Sequence, residues 1–331
     1  MAEINRQAAL IGLSWGLGAL VIIFSGARLW ARTMIKVQAS WDDIFMTLAA
    51  VFAILCSVFV TIAAHYGLGK RIDTITDSYY REEAMKYTVI APTVSIVSST
   101  LSKISILIFL TRLMGIAATR RHLICLWTLG AILFILNLLA IIIILRFCSP
   151  IEKQWKPEIE GKCLSPAVNF YTGVIPSAYT AFMDIVLAIF PSLIIAKLNI
   201  NRKMKIGLSC LMGGSIFAAG ATIVKIYFMQ ADNLGDHHDI TRSWANISIL
   251  YICEMNVIII VGTIPTLWPA IRLFVRRKGE NSDNYNCYQI PSEASERTGA
   301  FELPDKRGSK VAGPATRALQ DLDNMRTLRD A

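Results

Sequence analysis

The chain reads as an all-α integral membrane protein: a seven-transmembrane helix bundle, N-terminus outside and C-terminus inside, with a disordered cytoplasmic tail. Three observations predict this. Seven long apolar runs fill most of the first 275 residues. The chain is 54% hydrophobic and only 17% charged, against about 25% charged in a soluble domain. Its basic residues gather at alternate ends of the apolar runs.

The runs cover roughly residues 8–31, 44–64, 88–111, 122–147, 168–196, 206–229 and 245–271. At 1.5 Å rise per residue, each helix is long enough to cross a hydrocarbon core of about 30 Å. Lipid offers no hydrogen bonds to the backbone, so each run must satisfy its own as a helix. The first run is too long for the h-region of a cleavable signal peptide and reads as its own signal anchor. No internal repeat is visible, which removes the usual sequence support for an inverted-repeat transporter.

The formal net charge is +9, but its placement speaks against nucleic acid as a partner. One set of run ends holds fourteen bases, from Arg28, Arg32 and Lys36 through Arg112, Arg120 and Arg121 to the groups at 197–205 and 272–278, with only Asp42 and Asp43 as acids. The other set holds fewer bases and eleven acids. The positive-inside rule makes the first set cytoplasmic. Seven spans put the two termini on opposite sides, in agreement with that count.

The outer loop between runs four and five carries Cys148 and Cys163 in an oxidising compartment, and a disulfide between them is expected. Cys56, Cys125, Cys210 and Cys253 fall inside runs, where a small buried apolar role is the simplest reading. Cys287 lies in the tail and reads as a free thiol. The stretch from about 65 to 87 reads as a polar outer loop. Residues 1–278 form the membrane domain. From 279 to 331 hydrophobicity collapses, with nine acidic and seven basic residues, and such a composition cannot bury enough apolar surface to order itself.

The sharpest local signals are charges inside the runs: Lys103, Asp184, Lys225 and Glu254. Each costs about 2.5–3.5 kcal/mol at a helix centre, so each needs a partner or a purpose. Two are cations and two are anions. Lys103, Asp184 and Glu254 fit two readings equally, a ligand pocket or ion pairs that fix helix packing. Lys225 is a few residues from the outer end of its run, where it could snorkel, and a structural ion pair is the favoured reading for it. Ser95, Ser98, Ser99, Thr100, Ser102 and Ser105 give the third helix a polar stripe beside Lys103; small hydroxyl residues can pack helices together or wall a cavity. Asp42 and Asp43 open the second helix, where negative charge complements the macrodipole and caps the first turn. Asp236, His237, His238 and Asp239 have metal-ligand chemistry, but one short loop reads better as a solvated acidic loop than as a metal site. The sequon at Asn246 lies too close to the bilayer for use.

Several absences narrow the function. The last run has no lysine, so a retinal Schiff base of the usual kind has no anchor, and no cofactor or metal is expected. No acidic residue precedes Arg112, and no Asn-Pro-x-x-Tyr run follows. No phosphate loop, zinc protease motif or nucleophile elbow appears.

A set of residues in order resembles one family. It runs through Arg28, Arg32, Trp41-Asp42-Asp43, Gly67-Leu68-Gly69, Lys103 with Ser105, and Cys148-x-Pro150 with Trp155 and Gly161-x-Cys163. It continues through Asn169, Asp184, Pro191, Trp244, Glu254, Pro265 and Pro269. This resembles the fungal rhodopsin-domain family of seven-helix membrane proteins in filamentous fungi, which includes receptor-like members and members of toxin gene clusters such as the satratoxin cluster. The resemblance implies the shape without retinal, and structural roles for Arg28, Asp42, Asp43, Trp155, Trp244 and Pro265. The chain departs from the pattern at Lys225, where Arg is expected, and around the prolines of the last helix.

The expected function is a receptor-like or accessory membrane protein with a polar pocket lined by Lys103, Ser99, Asp184 and Glu254, tied to secondary metabolism or host sensing. Its partners are the lipid bilayer, a small lipophilic ligand and a cytosolic signalling protein met through the inner loops and tail. The plasma membrane is its expected site, with the endoplasmic reticulum second. The alternative is an intramembrane cyclase or isomerase of a lipophilic intermediate, with Asp184 and Glu254 as candidate catalytic acids. A transporter is third.

Overall fold

A computed structural model describes residues 6–35, 41–69, 77–114, 120–156, 158–197, 202–233 and 240–286. Its helices are α1 (Arg6–Ile35), α2 (Trp41–His65), α3 (Ser78–Met114), α4 (Arg120–Leu145), α5 (Pro166–Lys197), α6 (Arg202–Asn233) and α7 (Ile240–Asn286). All seven are long and apolar enough to cross a membrane. Between α4 and α5 lie two short strands, β1 (Cys148–Ser149) and β2 (Lys162–Cys163), flanking a 3-10 turn at Ile151–Gln154. The membrane bundle lies within a compact unit that reaches Ser282. Asp236, His237, His238, Asp239, Cys287 and the tail beyond Asn286 lie outside the described residues.

Burial follows the pattern of a membrane bundle. Leu110, Leu133, Met183, Leu211, Ile252 and Ile258 fill the centre. Ile22, Ile23, Ile135, Phe217 and Ile223 point outward, where lipid covers what water would penalise. Of the seven spans α7 is the most enclosed and α4 the least. Cys56 is buried, but Cys125 and Cys210 lie on the exposed outer face. That corrects their reading as buried packing residues, since the lipid-facing side accepts a small apolar group equally well.

The tightest helix pair is α2 with α3. The α2 face is made of small residues, Ala49, Ala50, Ala53 and Cys56, so the backbones approach closely. Side chains then reach across to main-chain carbonyls: Ser98 Oγ donates to Ala49 O at 2.7 Å, Ser105 Oγ to Asp42 O at 2.6 Å, and Cys56 Sγ to Ala91 O at 3.4 Å.

At its end α2 stops in a Schellman motif. Leu68 N–H donates to Ala63 O and Gly67 N–H to Ala64 O. Gly67 takes a φ of 114°, a conformation other residues rarely adopt, and Leu68 is buried as the motif's apolar contact. Gln7 Nε2 of α1 also donates to Ala64 O. This is the physical content of Gly67-Leu68.

The structure corrects the reading of 65–87 as loop. Helix α3 already begins at Ser78. Its polar first turns are stabilised by aromatic packing on the end of α2: Tyr66 stacks on Tyr87 at 6.2 Å and meets Tyr80 edge-on at 5.6 Å. The apolar-run criterion starts only at about residue 88, and a helix that projects out of lipid is invisible to it. The last helix runs on to Asn286.

The disulfide is present. Cys148 and Cys163 are bonded and sit opposite each other in the antiparallel β1–β2 pair. Gly161 is required by sterics, because a Cβ there would lie 2.5 Å from Ser149 O. Lys153 Nζ donates to Gly161 O, Gln154 Nε2 to Ile144 O, and Trp155 N–H closes the turn on Glu152 O. An ion pair from Lys156 to Glu82 at 3.5 Å ties the loop to α3.

Candidate intramembrane ion-pair site

Four helices each contribute one charge to the bundle interior. On α3, Ser99 and Lys103 are four residues apart, so they share a face. On α6, Leu211, Ser215, Ala218 and Thr222 form the buried stripe that leads to Lys225. Met183, Asp184 and Leu187 are buried on α5, and Tyr251, Glu254 and Ile258 on α7.

Lys103 Nζ lies 3.2 Å from Asp184 Oδ1 and 3.5 Å from Glu254 Oε1. Lys225 Nζ lies 2.8 Å from Glu254 Oε2. The side chains of Lys103 and Asp184 are 1% and 0% exposed. Ser99 Oγ lies 3.5 Å from Lys103 Nζ. The result is a charge-balanced chain, Asp184–Lys103–Glu254–Lys225, spread over α5, α3, α7 and α6. It brings together all four expected pocket residues, Lys103, Ser99, Asp184 and Glu254.

Lys225 takes the ion-pair arrangement. That side chain does not snorkel outward; it is 12% exposed and turned in to Glu254. A signal existed in the count of two acids and two bases inside the runs, since Lys103 alone leaves one carboxylate without a counter-ion.

The two carboxylates differ. Each oxygen of Glu254 faces an ammonium group. Neither oxygen of Asp184 accepts a hydrogen bond from a described residue, although Oδ1 is within ion-pair distance of Lys103. A buried acceptor left in this state is costly.

The serine stripe divides. Ser98 and Ser105 bond to α2 carbonyls, and Ser95 and Ser102 bond within their own helix. Thr100 Oγ1 accepts from Asn137 Nδ2 of α4 at 2.8 Å. Only Ser99 faces the charges, so most of the stripe packs helices rather than walling a cavity. Asn137, a buried amide in the fourth apolar run, was not singled out from the sequence.

A second charge cluster lies beside the C-terminal end of α3. Arg28 Nη2 donates to Asp42 Oδ2 at 2.6 Å and Arg28 Nε to Asp43 Oδ1 at 2.8 Å, all three side chains being at most 5% exposed. Arg32 Nε stands 3.2 Å from Asp43 Oδ2, and Arg112 Nη1, exposed, 4.0 Å from Asp42 Oδ1. The sequence reading gave the aspartates a dipole and capping role. They do sit in the first turn of α2, but their main work is to clamp α1 to α2. The missed signal is the four-residue spacing of Arg28 and Arg32, which places both on one face of α1.

Trp155 lies in the turn between β1 and β2, and Trp244 and Pro265 lie on α7. Trp244 O accepts from Ser248 Oγ at 2.8 Å. Pro265 is close-packed on α6, where a Cβ on Gly207 would lie 3.1 Å from its Cα. Among the described residues no group of three His, Cys, Asp or Glu is arranged to hold a metal.

A family model for the fungal rhodopsin domain matches residues 27–273. No curated protein and no solved structure matches the chain. The matched span holds both charge clusters, the disulfide, the end of α1, all of α2 to α6 and the membrane-spanning part of α7, so the chain is a multi-pass membrane protein that belongs to the fungal rhodopsin domain family.

Proposed function

We propose that the protein is a receptor-like membrane protein whose ligand acts on the Asp184–Lys103–Glu254–Lys225 chain. The observation that carries this reading is the sharing of one buried ammonium, Lys103, between acids on two different helices. Such an ammonium has two resting places, and a group that satisfies Asp184 would favour the one at Glu254. The helices α3, α5 and α7 would then move between two packings, which is what a signalling bundle requires.

In this reading the N-terminus and the disulfide loop face outward, the basic ends of α1, α3 and α6 face the cytosol, and the inner loops and tail meet a signalling protein. The plasma membrane suits a sensor of external or host compounds, and a role beside secondary metabolism suits an internal one. Asp184→Asn tests the reading. It should abolish a ligand-dependent response while surface expression remains. An unchanged dose response removes Asp184 from the mechanism.

The enzyme reading keeps one observation in its favour, Asp184 Oδ2, which meets no donor among the described residues. Glu254, engaged at both oxygens, is badly placed as a second acid. Membranes bearing the protein, incubated with a lipophilic polyene or epoxide, would show conversion if that reading held.

A further inference from the structure

The outer surface between α3 and α4 contains a hollow of about 200 Å³. Trp127 and Phe134, seven residues apart on α4, flank it, and both rings are 47% exposed on the lipid-facing side. Gly130 lies midway between them and supplies no side chain, since a Cβ there would already touch Leu107 at 3.2 Å. Ile104, Leu107, Ala131, Leu133, Met183 and the methylene stem of Lys103 complete the lining, which is apolar throughout.

Lys103 is the one ionisable residue of the lining, and its ammonium is 3.2 Å from Asp184, which lies behind the lining beside Met183. Two facts define what could enter. The four interior charges already balance, so an ion entering would leave an uncompensated charge in low dielectric. Asp184 meets only Lys103, at Oδ1, and its buried Oδ2 accepts no hydrogen bond from any described residue. A neutral hydrogen-bond donor on a hydrocarbon body meets both conditions.

We propose that this hollow is a lateral binding site for a lipophilic alcohol dissolved in the bilayer. Its hydrocarbon body lies between Trp127 and Phe134, and its hydroxyl donates to Asp184 as Lys103 moves toward Glu254, 3.5 Å away. This rests on the receptor reading and adds the route, the head group and the direction of the Lys103 shift.

The test uses the full chain in lipid nanodiscs with a long-chain alcohol bearing a photoreactive diazirine. Labelling should concentrate on the α3 and α4 segments around Leu107 and Trp127–Phe134. Unlabelled alcohol should compete, and the alkane, carboxylic acid and amine of equal length should not. Ala131→Trp fills the hollow from its lipid-facing rim and should remove most of the labelling. Ile135→Trp, exposed on α4 outside the lining, should leave it intact. Equal competition by the alkane, preference for the acid or amine, or full labelling of Ala131→Trp overturns the proposal. A ligand response that survives in Ala131→Trp overturns the lateral route and leaves the receptor reading standing. Specific labelling without any cellular response supports the site and removes the receptor reading instead.

Discussion

Lys103 on α3 and Asp184 on α5 form an ion pair at 3.2 Å with almost no solvent contact. Pairs of this kind rarely add net stability over an apolar core, but removing one member is costly because the other is left buried and charged. Lys103→Met strands Asp184 and halves the counter-charge of Glu254. It should destabilise the protein by about 3–5 kcal/mol. Lys225→Met should cost less, since Lys225 is partly exposed and Glu254 keeps Lys103. Denaturant midpoints in detergent micelles compare the two, and an equal loss would count against the central place of Lys103.

The clamp between α1 and α2 makes a second contrast. Arg28→Met leaves Asp42 and Asp43 buried with weaker partners and should cost about 3–5 kcal/mol. Arg112→Ala removes an exposed group 4.0 Å from Asp42 and should cost under about 1 kcal/mol. Thermal unfolding of both variants in nanodiscs reads the difference.

The outer loop tests orientation. Cys148→Ser breaks a bridge between residues 15 apart and should cost about 3 kcal/mol by loop-closure entropy. It also frees Cys163, which lies on the surface. A membrane-impermeant maleimide should label this variant on intact cells and leave the parent unlabelled. Labelling that needs lysed cells would reverse the proposed topology.

Two glycines on α6 should respond with opposite signs. A Cβ at Gly214 would sit 2.4 Å from Val261 Cγ2, so Gly214→Ala overpacks the α6–α7 contact and should cost about 1–3 kcal/mol. Gly220 has nothing within 4 Å, and Gly220→Ala should gain up to about 1 kcal/mol from helix propensity. Unfolding midpoints of the two variants check the signs.

The sequence makes the seven spans legible because lipid allows so few backbone solutions. The disulfide was equally readable, from two cysteines in one outer loop. The residues of the candidate site stood out as charges in apolar runs. Their pairing did not, since it depends on which helix faces lie together. The depth of Lys225 also suits snorkelling, and only its rotation on α6 brings it to Glu254. The first turns of α3 were missed because Ser78–Tyr87 are polar, and the tyrosine cluster that holds them is visible only in three dimensions. Asp42 and Asp43 were placed correctly at a helix start, but the arginines that clamp them lie on another helix.

The most direct measurement is a double-mutant cycle between Lys103→Met and Asp184→Leu, read as unfolding free energy in nanodiscs. Each single change strands a buried charge, and the double change removes both. The ion-pair account predicts that the double variant is more stable than the sum of the single losses allows, by at least about 1 kcal/mol. Losses that add to within about 0.5 kcal/mol would show that Lys103 and Asp184 are not coupled, and would contradict the site on which the functional reading stands.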